Sequence, residues 1–140
     1  MLTLRKEIFE QIVKQCLKEY PDEACGILAG SAGKVKKVYE MFNVDKSPSS
    51  YFMESREQLK VMKEIRSQGL EMAGIYHSHV ASQAYPSSRD IELAFYPDAS
   101  YVIISLQDKV HPGIRSFKIK EGRIEEEEVA IENQKGASKC

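Results

Sequence analysis

Two of the three histidines in this sequence lie one residue apart, directly after a short apolar segment. That segment, residues 72–76, is bounded by polar residues, which predicts a buried strand. Side chains that alternate along a strand point to opposite faces, so a strand that continues into His77-Ser78-His79 places both imidazoles on one face. The chain is therefore expected to build a sheet in which one strand end presents two histidines to the same point.

A carboxylate follows where a loop can return it to that point. Residues 80–87 contain Ser82 and Pro86 and predict a loop, and Asp90 lies at the beginning of the next apolar, helix-like stretch. Zinc binds neutral imidazole and carboxylate, and three protein ligands leave a fourth position for water. Bound zinc lowers the pKa of that water to about 7. These residue types predict a catalytic zinc site formed by His77, His79 and Asp90, with one ion per chain.

Each of these residues also has a purely structural interpretation. A His-x-His pair can end a strand without binding anything, and Ser87-x-x-Asp90 has the form of a helix capping box. The cap and the metal site are compatible, because a capping carboxylate can also turn towards a cation. Cys25, within an apolar run, is interpreted as a buried inert thiol rather than a nucleophile. His111, before Pro112-Gly113, is interpreted as an exposed turn residue.

The remaining pattern predicts one α/β domain, a mixed β-sheet flanked by helices, over residues 1–132. Apolar spacing predicts helices over 4–20, 55–68 and 88–95, with Ser55 and Gln58 as a capping box. Short apolar or alternating runs predict strands over 24–29, 35–42, 72–77, 101–106, 114–119 and 124–131. The first two strands are expected to form a hairpin, and 101–106 to lie near the centre of the sheet. The polar tail, 133–140, is expected to be disordered.

Charge and cysteine content narrow the function. A formal net charge of −1, with lysine and arginine spread along the chain, argues against a nucleic-acid-binding surface. No apolar run approaches the length of a membrane span, and the first residues do not form a signal peptide. Cys16, Cys25 and Cys140 are odd in number and have no CxxC spacing, which favours free thiols in a reducing cytoplasm and leaves one bridge open.

With its spacings, the central motif is His77-Ser78-His79, seven residues, Ser87, two residues and Asp90, and Glu23 precedes the first predicted strand. This order resembles the JAMM (MPN+) metalloprotease family, and in particular its small stand-alone prokaryotic members. The family signature is an early glutamate followed by H-S/T-H-x7-S-x2-D, and its layout is related to that of cytidine deaminases. One departure is Val80, where family members usually have proline, and it puts the position of Asp90 in question.

The resemblance implies a role for each matched residue. His77, His79 and Asp90 hold zinc, while Glu23 takes a proton from the attacking water and returns it to the leaving amine. The hydroxyl of Ser87 donates a hydrogen bond to the developing oxyanion. Spacing alone does not single out Glu23, which is one of 21 acidic residues. The implied substrate is an amide at the C-terminal tail of a ubiquitin-like or sulfur-carrier protein, bound as an added strand at a sheet edge.

Two other functions compete with the peptidase. Metal-free relatives of this fold act as non-catalytic MPN-type protein-binding scaffolds, but they lack part of the ligand set that this chain retains. A zinc deaminase requires a P-C-x-x-C ligand pair, which the chain does not contain. The sequence therefore favours the peptidase, with substrate choice expected to depend on the loops at 43–52 and 80–87.

Overall fold

The computed structural model describes residues 1–133, which form eight strands and three helices. In chain order these are β1 (Leu2–Arg5), α1 (Lys6–Glu19), β2 (Cys25–Ser31), β3 (Lys34–Met41), α2 (Ser55–Ser67), β4 (Glu71–His79), α3 (Ser88–Glu92), β5 (Ser100–Ser105), β6 (Gly113–Lys120), β7 (Arg123–Glu127) and β8 (Val129–Glu132). All strands belong to one sheet in the order β7-β6-β5-β4-β2-β3-β1-β8. β4 runs parallel to β5, while β2 is antiparallel to both β3 and β4, so the sheet is mixed, as predicted.

Helices cover both faces of the sheet. Side chains alternate between the two faces along β4, and neighbouring residues of this strand pack against different helices. Tyr76 packs in a core cluster with Ile12 of α1, whereas Ile75 packs in a second cluster with Ile65 of α2. α3 contributes Ile91 to the second cluster. The two histidines of β4 are in phase with Ile75, so they belong to the face that α2 and α3 cover.

Two hairpins of the sheet close through tight turns, and the first of them is the predicted hairpin. β2 and β3 are joined by Ala32-Gly33, and β6 and β7 by Glu121-Gly122. All four turn residues have positive φ, between 51° and 79°. This conformation is that of a two-residue type I′ turn, in which glycine at the second position relieves the steric cost of the left-handed region.

The N-terminal segment differs from the prediction, since Leu2–Arg5 is a strand rather than the beginning of the helix. Leu2 and Leu4 are both buried and point to one face, and β1 pairs with β8 and β3. The predicted strand over 124–131 is in fact two strands that separate at Glu128. β7 pairs with β6, while β8 pairs with β1 at the opposite end of the sheet order. Both differences from the prediction arise because strands that are far apart in the sequence pair with each other.

Two helix ends also differ from the prediction. α3 stops at Glu92, three residues before the end of the predicted helix, and Phe95 beyond it is 70% exposed. The predicted capping box of α2 is wrong, because the cap lies one residue earlier. The carboxylate of Glu54 accepts the backbone N–H of Glu57 at 3.0 Å and so satisfies one free amide of the first turn. Most of the predicted tail, residues 134–140, lies outside the described residues.

Within residues 1–133, no helix combines the length and apolar character that crossing a membrane requires. Cys16 and Cys25 are buried free thiols, in agreement with the prediction for these two cysteines. Cys140 lies outside the described residues.

A buried hydrogen-bond chain ties α1 to the centre of the sheet. The hydroxyl of Tyr76 donates to Gln15 Oε1 at 2.5 Å, and Gln15 Nε2 donates to the carbonyl of Cys25 at 3.0 Å. Gly26, opposite Tyr76 on β2, makes the contact possible, because a Cβ there would lie 2.3 Å from the phenol ring. These hydrogen bonds hold β2 and β4 in place just before the histidine pair.

We expect Tyr76→Phe to lower the free energy of unfolding by about 1–3 kcal/mol, because the buried Gln15 oxygen loses its donor. Urea denaturation followed by circular dichroism measures this change. Tyr85→Phe is the matched control, since the Tyr85 side chain is exposed and its hydroxyl makes no hydrogen bond within residues 1–133. It should change the free energy by less than about 0.5 kcal/mol. An equal loss of unfolding free energy in both variants would contradict the role assigned to these hydrogen bonds.

Candidate metal centre

The two histidines lie at the C-terminal end of an interior strand. His77 is in register with Cys25 of β2 on one side and with Ile103 of β5 on the other, and His79 is in register with Ser105. β4 thus continues through both histidines, which the predicted metal site requires. Both side chains are buried on the same face of the sheet.

Asp90 reaches the histidines from the beginning of α3. The helix has a complete capping box: Ser87 Oγ accepts the backbone N–H of Asp90 at 3.1 Å, and the backbone N–H of Ser87 donates to Asp90 Oδ2 at 2.9 Å. The same Oδ2 atom faces the histidine pair. The capping interpretation and the metal interpretation therefore hold together, because the cap fixes the carboxylate that a cation would need.

Three potential ligand atoms converge on one point. Asp90 Oδ2 lies 3.2 Å from His77 Nε2 and 3.1 Å from His79 Nε2, and the two nitrogens are 3.2 Å apart. Tetrahedral zinc with bonds of about 2.0–2.1 Å has ligand atoms separated by about 3.3 Å. The triangle matches one face of such a tetrahedron, so these residues can hold a metal ion.

The arrangement of the three ligand groups also requires a positive charge between His79 and Asp90. His79 Nδ1 lies 2.9 Å from the carbonyl of Gln83, which fixes that nitrogen as the N–H and leaves a lone pair on Nε2 facing Asp90. A lone pair and a carboxylate oxygen at this distance repel unless a proton or a metal cation lies between them. Without metal a proton can do this: burial lowers the pKa of His79, but the bonds with Asp90 and the Gln83 carbonyl outweigh burial and raise it.

The other two ligand groups have the protonation states that a metal requires. Burial lowers the pKa of His77, so its imidazole is neutral at neutral pH. Burial alone would raise the pKa of Asp90, but its bonds with His77 and His79 hold the pKa well below the usual range. A neutral imidazole beside an ionised carboxylate is ready to bind a cation without first releasing a proton.

Glu23, two residues before β2, lies in a cleft that is also lined by His79. The cleft has a volume of about 330 Å³ and is lined by Glu23, Pro48, Ser49, His79, Val80, Ala81, Ser82 and Ser87. Glu23 is only 5% exposed, and its burial raises the pKa to about 8, with His79 acting in the opposite direction. A carboxyl group with a pKa near neutrality can both accept and return a proton at physiological pH. All five sequence-predicted site residues therefore meet at one place.

Sequence reasoning missed two residues that support the site. Asn43, in a loop without periodicity, donates from Nδ2 to the carbonyls of Glu23 and Ser50, and its Oδ1 accepts the backbone N–H of Phe52. It therefore attaches the loop to the backbone of Glu23. Tyr51 in the same loop stacks on His77, with ring centroids 4.6 Å apart. The only sequence signal for Asn43 is an asparagine in a polar loop, and no sequence pattern points to Tyr51.

The structure also resolves two secondary points of the sequence analysis. With valine at position 80 the three ligand atoms still converge, so the missing proline does not displace Asp90. Cys25 is fully buried, and burial raises the pKa of its thiol to about 12. A thiol in that state is not a nucleophile at neutral pH, in agreement with the prediction.

Comparison with known proteins gives a consistent family. The model of the prokaryotic homologs of the JAB domain matches residues 5–120. The CysO-cysteine peptidase of Mycobacterium tuberculosis is 38% identical over 136 residues, which cover 96% of this chain and 93% of the relative. A probable TtuB-protein conjugate cleaving protease of Thermus thermophilus is 33% identical over 88% of this chain and 79% of its own length.

Two solved structures share the fold of this chain. A protein of Desulfitobacterium hafniense, solved in solution, superposes with a TM-score of 0.86 at 40% identity, covering 95% of this chain and 94% of the other. A JAB1/MPN domain protein of Archaeoglobus fulgidus superposes with a TM-score of 0.63 at 17% identity, covering 93% and 96%. At that lower identity the likeness concerns the fold alone. The mixed sheet flanked by helices is thus a JAB1/MPN-type fold, as the resemblance implied.

Proposed function

This chain belongs to the family of prokaryotic homologs of the JAB domain, and from that membership we propose a zinc-dependent peptidase with one zinc per chain. Its substrate is an amide bond at the C-terminal tail of a small ubiquitin-like or sulfur-carrier protein. The observation that carries the proposal is the convergence of His77, His79 and Asp90 within 3.2 Å of one another, beside a cleft that is lined by His79 and Glu23.

The reaction is assigned to this chain's residues as follows. His77, His79 and Asp90 hold the zinc, which supplies Lewis-acid activation of water and of the substrate carbonyl when it is bound. Glu23 accepts a proton from the attacking water and delivers it to the leaving amine, a role that its place beside His79 in the cleft allows. The Ser87 hydroxyl is exposed and accepts only the N–H of Asp90 within residues 1–133, so its own hydrogen remains available to the oxyanion.

The relatives support the substrate class. One of them is named a CysO-cysteine peptidase, and the other a probable TtuB-protein conjugate cleaving protease. In the proposed reaction the scissile amide lies at the end of the carrier chain, and the two kinds of substrate differ in the amine that leaves. Substrate choice is assigned to the loops at 43–52 and 80–87, because both contribute residues to the wall of the cleft.

Two matched substrates test the proposal: a ubiquitin-like carrier with a C-terminal cysteine, and the same carrier joined by its C-terminus to a lysine side chain. We expect the zinc-loaded protein to release the leaving group from at least one of them, as measured by intact mass. A chelator should reduce turnover by at least about 100-fold, and added zinc should restore it.

Carrier cleavage that persists in metal-free protein would contradict the zinc assignment. Well under one zinc per chain after zinc supplementation, with no cleavage, would instead favour the non-catalytic scaffold. That alternative is disfavoured because the full ligand set converges and the relatives are named as peptidases.

Domain extent and location complete the proposal. We assign the peptidase domain to residues 1–132 and place its action in the cytoplasm. The family match over 5–120 supports the first, and the free thiols of Cys16 and Cys25 support the second.

A further inference from the structure

The two candidate histidine ligands are held in different ways. A metal-binding histidine normally donates its other ring N–H to a carbonyl, carboxylate or water, which fixes the ring. His79 follows this rule through the carbonyl of Gln83. His77 does not: its Nδ1 is buried and has no hydrogen-bond partner within residues 1–133. When Nε2 faces a metal ion, no hydrogen bond from Nδ1 within residues 1–133 is available to set the orientation of the His77 ring, so another contact must do so.

The backbone of His77 is fixed on both sides by β2 and β5, which leaves rotation of the side chain as the free variable. The phenol ring of Tyr51 lies against the imidazole, with centroids 4.6 Å apart and an angle of 22° between the planes. His79 meets the same imidazole by its edge, at 5.0 Å and 60°. Stacking by Tyr51 and the edge contact of His79 together hold the ring so that Nε2 faces Asp90.

Tyr51 also packs against the second core cluster, which includes Ile65, Ile75 and Ile103. It forms one wall of a groove of about 90 Å³ that is otherwise lined by Phe52, Met53, Gln58, Ile75, Leu93, Phe95 and Tyr96. An aromatic face also suits the metal-bound state of its neighbour. An imidazole that shares the charge of a cation gains from the negative face of a phenol ring, as a cation does.

We propose that Tyr51 is a positioning residue of the metal centre, whose ring replaces the hydrogen bond that His77 lacks and raises the affinity for metal. The inference rests on the proposed zinc site and extends it to a residue outside the signature motif. It requires the ring of Tyr51 and not its hydroxyl, since the contact is a stack between ring faces.

Three variants test the proposal. We expect Tyr51→Leu to weaken zinc binding by about 10- to 100-fold, the usual cost of losing an outer partner of a metal-binding histidine. Tyr51→Phe retains the stack and should bind zinc within about threefold of wild type. Tyr96→Leu is the matched control, because Tyr96 lines the same groove without stacking on His77, and it should also leave zinc binding unchanged.

Zinc affinity is measured by competition with a chromophoric chelator, and cobalt(II) absorption reports the geometry of the bound ion. The cobalt spectrum should change in Tyr51→Leu alone, and urea denaturation of the metal-free proteins checks that each variant is folded. Wild-type affinity in folded Tyr51→Leu, or an equal loss in Tyr51→Phe, would overturn the proposal. A wild-type protein that binds no zinc would instead refute the proposed function itself.

Discussion

Glu23→Gln should lower turnover by about 10²- to 10⁴-fold while the protein still binds one zinc. Glutamine keeps the size of the buried side chain but cannot take a proton from water and return it to the amine. Glu23 is not one of the three converging ligand groups, so metal content should not change. Steady-state kinetics with a carrier adduct, together with metal analysis of the same sample, measure both parts of the prediction.

Asp22→Asn is the matched control for Glu23→Gln. Asp22 is the neighbouring acid but does not line the cleft, so this variant should retain wild-type turnover. A fully active Glu23→Gln protein would remove Glu23 from the mechanism. Loss of zinc in Glu23→Gln would instead assign this residue a role in metal binding.

Metal-free protein offers an independent test of the buried state of Glu23. Burial raises its pKa from 4.5 to about 8, so the folded state keeps a proton that the unfolded chain releases. Because the pKa is raised, this stabilising contribution is complete below pH 4.5 and is lost as the pH rises towards 8. The free energy of unfolding should therefore fall more steeply with pH in wild type than in Glu23→Gln, as urea denaturation in chelator measures. Parallel profiles would contradict the raised pKa.

His79→Ala should weaken zinc binding by more than about 100-fold, beyond the cost of removing an outer partner, and should reduce turnover to background. The variant removes one corner of the ligand triangle and leaves Asp90 and His77 as an incomplete pair. Competition with a chromophoric chelator measures the affinity, and the carrier assay measures turnover.

His111→Ala is the control for His79→Ala, since the His111 side chain is 83% exposed and does not belong to the cluster. It should bind zinc and cleave the carrier as wild type does. Unchanged zinc affinity in His79→Ala would exclude the proposed ligand set. Asp90→Asn provides a second variant that keeps an oxygen for the helix cap, and it should also weaken zinc binding.

The ligand set could be predicted because it depends on local rules. Period-2 alternation put both histidines of β4 on one face, and the Ser87-x-x-Asp90 cap put a carboxylate at the beginning of α3. Glu23 was available only through the resemblance, because its proximity to the histidines depends on the pairing of Cys25 with His77. The environment of a residue so distant in sequence is set by strand pairing, which spacing does not encode.

Most of the structural features that the sequence did not predict have the same origin. β1 has a pattern that also fits the beginning of a helix, and its pairing with β8 decides the outcome. The stack of Tyr51 on His77 joins a loop to a strand and has no periodic signal. Phe95 was expected to continue the apolar side of α3, but the helix ends before reaching it. The first two errors concern contacts between segments that are far apart in the chain, whereas the end of α3 is a local feature that apolar spacing did not show.

The position of β4 restricts which amide bonds can reach the metal centre. β4 has a neighbour on each side, and the nearest edge strand, β7, is three strand spacings away, or about 14 Å. An added strand at a sheet edge, which the resemblance implies, would therefore not by itself bring the scissile bond to the metal centre, and a slender extended segment has to enter the cleft. Peptide bonds inside folded proteins do not have that form, whereas the C-terminal tail of a small carrier protein does. Such steric selection would protect folded proteins from a peptidase that is always active.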